Sequence, residues 1–403
     1  MRSSSVAVLA LVAAVLGGAA VLVVAKAAGW LHTGTKQTVV VRQPAQSATD
    51  GAPVIAAKPL VGNGFQPAQL YKQRAAGVVT IISYFDSANV ADARAGQGSG
   101  FVVADDGTIL TSAHVITTAG QGTSATTTAA RTIYVEFADG DRVTAHVVGY
   151  DLFHDVGVIR VDPAAHVLDP VPLGDSDRVV VGQPVAAIGS PFGNADSLSV
   201  GVVSAIRRAI PALTSGYDLV DAIQTDAPIN HGNSGGPLFD AAGRVIGINA
   251  QIRSSGTGSG FEGVGFAVPI DSATRSLAQL LKGGAVHYAY VGIKTEDMTP
   301  SIARKFGYAA TTGALVDEVK AGTAGARAGL QAGDRSEVFQ GQGVRVGGDA
   351  IVAIDAIPVT NAQDVVRIVS ERLVPGETAR FTVVRGKTRR VVPVTVGERP
   401  PAG

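Results

Sequence analysis

Between residues 70 and 269 the apolar side chains come in short runs, each closed by turn-forming residues. Stretches of β-branched character at 77–83, 100–104, 132–137, 143–148 and 156–161 alternate with punctuation such as Asp105-Asp106-Gly107 and Asp139-Gly140-Asp141. Many short strands at this spacing specify an all-β barrel or sandwich rather than βαβ units. The 50 glycines and an aromatic share of only 5% fit a fold of small side chains and many turns. A helix is expected only at the end of this region. There Asp271 can cap a segment rich in Ala and Leu that runs to Lys282 and stops at Gly283-Gly284.

The chain has 403 residues, enough for two or three domains at roughly 100–200 residues each. Residues 6–25 are 20 positions without a charge, between Arg2 and Lys26. That length matches the ~20 apolar residues that span a bilayer and exceeds the roughly 7–15 of a signal-peptide core. The expectation is a single-pass membrane anchor with 1–5 in the cytoplasm and the rest exported. The alternative is a signal cleaved near Ala25-Lys26-Ala27, leaving a secreted or periplasmic protein. Residues 26–65, rich in Ala, Gln, Thr, Pro and Gly, read as a flexible tether.

A first folded domain is expected over 66–285 and a second over 288–397. The second has strand patterns at 313–319, 350–354, 378–384 and 390–396. It has one good helix at 361–372, with Asn361 as cap and Val365, Val366, Ile368 and Val369 as its apolar stripe. A domain of that size can hold its own core.

Charge and cysteine content exclude whole classes of function. With 33 basic and 33 acidic residues there is no electrostatic footprint for nucleic acid. With no cysteine there is no disulfide, thiolate metal site or cysteine nucleophile. Nothing in the sequence calls for a metal or a cofactor.

The strongest chemical signal is Asn230-His-Gly-Asn-Ser-Gly-Gly-Pro-Leu238. A serine hydroxyl needs a base to become a nucleophile, and donors for the oxyanion that forms on attack. Glycines around Ser234 let the backbone turn tightly enough for the N–H groups of Gly232 and Ser234 to point at one spot. The segment also fits G-x-S-x-G, but that elbow demands strand–turn–helix followed by an acid and a histidine. Here a strand follows, and the only later histidine is His287, so the elbow reading fails. The base must lie upstream.

Of the 7 histidines, His114 closes a strand-like run through small residues that leave room for an imidazole to face a cleft. His146 and His166 read as surface residues, and His231 is too close to the serine in sequence. His154 adjoins Asp155, but neighbours on a strand face opposite ways. Asp155 opens the apolar run 156–161, where an unpaired carboxylate is costly. Paired to the imidazole it would fix the tautomer. Asp151 and Asp162 are rivals that read as loop residues.

The pattern resembles the HtrA/Deg family of serine proteases, a trypsin-like double β-barrel followed by a PDZ domain. The resemblance is carried by Gly98-Ser-Gly-Phe-Val-Val103, Thr111-Ser-Ala-His-Val115, Asp155-Val-Gly-Val-Ile159, Gln224-Thr-Asp-Ala-Pro-Ile-Asn230, Gly232-Asn-Ser-Gly-Gly-Pro-Leu238 and Gly265-Phe-Ala-Val-Pro-Ile270. It implies a triad of His114, Asp155 and Ser234, an oxyanion hole at Gly232 and Ser234, and a primary pocket walled by Pro228 and Ile229. His231 departs from the Pro or Arg usual before Gly-Asn-Ser.

In the second region Tyr290-Val-Gly-Ile293 resembles a PDZ carboxylate-binding loop, and Ala328-Gly-Leu-Gln-Ala-Gly-Asp334 its A-G-L-x-x-G-D signature. Tyr290, Val291, Gly292 and Ile293 are thus the implied peptide-binding residues. The stretch 335–346 interrupts the family pattern and reads as an extended loop.

The family implies an ATP-independent endopeptidase for unfolded or damaged exported proteins, with C-terminal peptides bound at the PDZ domain. It also implies a homotrimer, with Phe65, Leu70 and Tyr71 as candidate contacts. Rival readings are a chaperone or stress sensor with little proteolysis, and a regulatory protease with one membrane-protein target. Two segments, 207–220 and 250–262, are expected as loops flanking the site.

Overall fold

The computed structural model describes residues 65–85, 95–121, 127–189, 197–212, 214–215, 217–230, 232–250 and 263–400. The segment 6–25, residues 26–64 of the tether, His231 and residues 251–262 lie outside this set. Among the described residues no helix is long and apolar enough to cross a membrane.

Six strands build the first barrel: β1 (Val78–Tyr84), β2 (Ala95–Val102), β3 (Thr108–Thr111), β4 (Thr132–Glu136), β5 (Arg142–Asp151) and β6 (Val156–Val161). They close in the order β1-β2-β3-β6-β5-β4, antiparallel throughout. The second barrel is β7 (Pro184–Gly189), β8 (Ser197–Pro211), β9 (Asp218–Thr225), β10 (Pro237–Asp240), β11 (Val245–Ala250) and β12 (Gly265–Pro269). Its order is β10-β11-β12-β9-β8-β7. Closure leaves no free sheet edge, which settles the barrel-or-sandwich alternative for this region.

Each barrel has its own filling. Val79, Ile81, Ile109, Ile116 and Ile159 pack inside the first, and Val185, Val203, Ile223, Leu238 and Ile246 inside the second. A third cluster joins them, with Phe101, Leu110 and Val158 of one barrel against Ile188, Phe239 and Ile248 of the other. The functional site sits along this seam. Leu70 belongs to the same cluster and is buried, so it is not available as a subunit contact.

The expected helix spans Ile270–Gly283 and ends on Gly284 in the left-handed conformation. Asp271 does not cap it. Its carboxylate instead accepts from the backbone N–H groups of Ser176 and Asp177 and from the Ser176 hydroxyl, tying the helix to a distant turn. Four short helices depart from the sequence expectation: Pro67–Arg74 and Ala113–Ile116 here, and Pro300–Phe306 and Ala324–Arg327 in the C-terminal region. The segment 207–220 is no simple loop: β8 and β9 run through most of it as a bulged antiparallel pair.

The C-terminal region is a second β unit. Its elements are β13 (Ala289–Tyr290), β14 (Ile293–Met298), β15 (Gly313–Val319), β16 (Arg335–Phe339), β17 (Gln342–Val346), β18 (Ala350–Ile354), β19 (Ile357–Pro358), β20 (Thr378–Arg385), β21 (Thr388–Thr395) and β22 (Gly397–Glu398). The main sheet runs β14-β15-β18-β20-β21, with β14 at its edge and the helix Ala362–Arg372 packed beside it. Asn361 caps that helix as expected, its side-chain oxygen accepting from the Asp364 N–H at 2.9 Å.

Val365, Ile368 and Val369 are buried, but Val366 is not; it falls off the i, i+3, i+4 stripe. The stretch 335–346 is not an extended loop either. It is the hairpin β16–β17, closed by Gln340 and Gly341, both at positive φ, as a tight two-residue hairpin turn requires.

Candidate active site

The β3–β6 ladder brings the base and its carboxylate together. Thr111, the last residue of β3, pairs with Gly157, the second of β6, so the residues just after β3 and those just before β6 share one end of the sheet. His114 follows β3 on the single helical turn Ala113–Ile116, rather than on the strand itself. Gly157 lets that turn lie close: a Cβ there would stand 3.0 Å from the Ser112 carbonyl and 2.8 Å from Ile116. Asp155 precedes β6 at φ +55°, a left-handed conformation that few residues other than Gly, Asn and Asp accept.

Both carboxylate oxygens of Asp155 go to His114. Oδ1 accepts from the His114 backbone N–H at 2.9 Å, and Oδ2 lies 2.7 Å from the ring Nδ1. The Ala113 N–H donates to the Asp155 carbonyl at 3.1 Å, which locks the two segments by backbone as well. Burial would depress the imidazole, but the charge and hydrogen bond of Asp155 outweigh it and raise the His114 pKa above 6.5. Nδ1 is thereby committed to the carboxylate, and Nε2 is the nitrogen left for a reacting proton.

Ser234 comes from the second barrel, on the loop between β9 and β10, and is 2% exposed. Its loop is pinned to β2. The Ser99 N–H donates to the Ser234 carbonyl at 2.8 Å, and the Ser99 hydroxyl to the Gly232 carbonyl at 2.6 Å. Gly235, at φ +84°, approaches the corner before His114 so closely that a Cβ would stand 2.4 Å from Thr111 Oγ1 and 2.9 Å from the Ser112 nitrogen. Only glycine permits that contact between the barrels.

The N–H groups of Asn233, Gly235 and Gly236 donate to the carbonyls of Asn230, Asn249 and Asn233. Those of Gly232 and Ser234 have no acceptor among the described residues. The Ser234 hydroxyl is buried and likewise has no hydrogen-bond partner among them, so the serine–imidazole bond is not made in this state. Such bonds are often long before substrate binds.

The remaining sequence candidates fall elsewhere. His146 is exposed on β5, and His166 stacks on Phe137 at the surface. Asp162 is exposed beyond β6. Asp151 is no loop residue: it ends β5, is 2% exposed and bonds to Ser276 and Tyr288. Pro228 is exposed and Ile229 half-buried, with its Cδ1 against the backbone of Gly265. Tyr290 ends β13, Val291 is buried, Gly292 stands at φ +75° and Ile293 opens the edge strand β14. No group of three or more His, Asp or Glu side chains able to hold a metal occurs among the described residues. Ser99, whose two bonds hold the serine loop, lies in the motif 98–103 but had no role assigned from sequence, because its partners are at least 133 positions away.

Comparison with known proteins agrees with this two-domain fold. Residues 98–248 match the model of a trypsin-like peptidase domain, and 289–396 that of a PDZ domain. Over 307 residues, 76% of the chain, it is 38% identical to a probable periplasmic serine endoprotease DegP-like of Halomonas elongata. Over the same share it is 39% identical to Protease Do-like 1, chloroplastic, of Arabidopsis thaliana. The chain spans 57% and 64% of the length of these curated relatives. Among solved structures it is similar to the HtrA-type protease AlgW with tripeptide, at 30% identity and a TM-score of 0.67, over 83% of this chain and 98% of that one. The double barrel, the hydrogen-bonded pair of His114 and Asp155, and these likenesses together show that the chain belongs to the HtrA family, a trypsin-like domain followed by a PDZ domain.

Proposed function

We propose that this chain is an ATP-independent serine endopeptidase whose triad is His114, Asp155 and Ser234. The observation that carries the reading is the 2.7 Å pair between His114 Nδ1 and Asp155 Oδ2, which leaves Nε2 for the serine proton. In this mechanism Nε2 takes the Ser234 proton as Oγ attacks the scissile carbonyl. The N–H groups of Gly232 and Ser234 hold the resulting oxyanion. The imidazolium then returns its proton to the leaving amine, and water, deprotonated by the same nitrogen, clears the acyl-enzyme. The protease domain extends over 66–285 and the PDZ domain over 288–397.

The proposed substrates are unfolded or damaged proteins outside the cytoplasm, the compartment to which the names of the periplasmic relatives point. Pro228 and Ile229 wall the pocket for the residue before the cut. A C-terminal peptide adds as a strand along β14, the free edge beside the helix Ala362–Arg372, with its carboxylate at 290–293. Such binding gates cleavage in this reading. Resemblance alone supports a homotrimer, for which Phe65 and Tyr71 remain the residues to test.

The deciding experiment is cleavage of casein by the wild-type chain and by Ser234→Ala. Loss of one triad member costs on the order of 10⁴-fold or more, so the variant should fall to background while its fold is unchanged. Retention of more than a few per cent of the rate would refute the assignment and favour the chaperone reading.

A further inference from the structure

The turn that carries Asp155 is gripped from its far side by a buried polar cluster that no step of the proposed reaction uses. Asp151, which opens it, and His154, next to Asp155, are 2% and 5% exposed. Asp151 Oδ1 accepts from the Phe153 N–H at 2.9 Å and so shapes the turn. Its Oδ2 accepts from the Ser276 hydroxyl at 2.7 Å and from the Tyr288 hydroxyl. Because that phenol donates to Asp151, it accepts from His154 Nδ1–H, 2.5 Å away. Burial favours the neutral form of Asp151, but His154, Ser276 and Tyr288 together hold its pKa below the ordinary value, so the cluster is built around an anion.

Two of the groups on this turn come from the residues that bracket the PDZ domain, Tyr288 at its start and Arg399 just past its end. Tyr288 immediately precedes β13, and Arg399 immediately follows β22, the strand paired with β13. The Arg399 N–H donates to the Tyr288 carbonyl at 2.9 Å. Its guanidinium lies 5.0 Å from the ring centre of Phe153, 5.2 Å from that of Tyr217 and 5.4 Å from that of Tyr288. Phe153 is part of the turn itself. Asp155 holds a positive φ that only a constrained surrounding maintains, and this clamp supplies the constraint on one side while His114 supplies it on the other.

We infer that Tyr288 and Arg399 are positioning residues for hydrolysis: through Asp151 and Phe153 they fix the 151–155 turn that presents Asp155 to His114. The seating of the two segments that bracket the PDZ domain thereby sets the strength of the His114–Asp155 pair. The inference rests on the triad proposed above.

The test compares wild type, Tyr288→Phe and Ser276→Ala in the full chain, with kcat, KM and the pH profile measured on fluorescent casein. Misplacing a catalytic group by about 1 Å costs up to roughly 10²-fold. Tyr288→Phe should therefore lower kcat by about tenfold or more with KM within about twofold. It should also shift the acid limb of the profile to lower pH, because a loosened Asp155 offsets less of the burial at His114. A role confined to stapling the domains predicts a lower melting temperature with kcat and acid limb unchanged, and that result overturns the inference. If Tyr288→Phe does not fold, Ser276→Ala removes a donor from the same oxygen and decides by the same readouts. Ser234→Ala runs alongside: residual cleavage there defeats the triad, whereas an inactive Ser234→Ala with an unaltered Tyr288→Phe defeats the positioning role alone.

Discussion

Asp155 binds His114 at two places at once, the backbone N–H at 2.9 Å and the ring Nδ1 at 2.7 Å, so the carboxylate sets both the position and the tautomer of the imidazole. A base held this way titrates higher than a free histidine, despite its burial. Since the neutral ring is the active form, cleavage should fall as pH drops, with a midpoint above the unperturbed value of about 6.5 and a slope of one proton. Asp155→Asn should remove the charge and move the midpoint down, along with a large loss of rate. A pH–rate profile of kcat/KM on casein measures both, and a flat profile from pH 5 to 8 would rule out a histidine base.

Specificity in the proposed mechanism follows from Pro228 and Ile229, the proposed walls of the primary pocket. Ile229 is half-buried against Gly265, and Pro228 beside it carries no charge. A Lys or Arg side chain would enter unpaired, at a cost of several kcal/mol. Cuts should therefore fall after small aliphatic residues such as Val, Ala and Leu. Mass-spectrometric mapping of casein fragments reads this directly, and a majority of cuts after Lys or Arg would contradict it.

In the proposed peptide site of the PDZ domain, Gly292 is the residue most sensitive to substitution. It stands at φ +75°, and a Cβ there would come within 2.3 Å of the Thr323 side chain. Forcing an L side chain into the left-handed region costs about 1–2 kcal/mol before the clash is counted. Gly292→Ala should therefore shift the loop and weaken a hydrophobic C-terminal peptide by about tenfold, which corresponds to about 1.4 kcal/mol. Fluorescence anisotropy with a labelled peptide checks it; wild-type affinity in the variant would place the carboxylate site elsewhere.

Asp221, on β9, faces the start of the helix Ala362–Arg372 across a cavity of about 280 Å³ lined also by Arg207, Asn361 and Arg367. Its Oδ1 is buried with no hydrogen-bond partner among the described residues. Burial first, and then the nearby Glu371, push its carboxyl up to about 6. The folded chain thus binds this proton more tightly than the unfolded chain, so stability rises as pH falls from about 6 towards the unfolded value of about 4. Asp221→Asn should stabilise the protein by about 1–2 kcal/mol at pH 7, discounted for partial exposure, and this gain should vanish below about pH 4. Thermal unfolding at both pH values measures the difference; a loss of stability at pH 7 would show that the carboxylate is paired.

Much of the fold is legible in the sequence. The run 156–161 is β6 to the residue, and 313–319 and 350–354 are β15 and β18, because β-branched runs between turn residues have few alternatives. Asn361 and the end of the helix at Gly284 were legible for the same local reason, since caps act through hydrogen bonds within a few residues. His114, Asp155 and Ser234 stood out by the types of their neighbours.

Local pattern could not supply anything that depends on residues distant in the chain. By sequence alone Asp151 and His154 are a loop acid and a misdirected histidine, yet Tyr288, 137 and 134 positions away, bonds to both. Asp271 has the position of a cap for its own helix but serves a turn 95 positions upstream. The region 335–346 carries a hairpin whose turn residues, Gln340 and Gly341, adopt positive φ without the Asn-Gly or Asp-Gly pair that would have announced it. Local pattern marked most of the strands, though not the hairpin at 335–346 or the β8–β9 pairing through 207–220, and it marked the residue types available for chemistry. Which of those residues meet was left to the fold, because an ionised carboxylate such as Asp151 is buried at low cost only where distant segments bring donors to it.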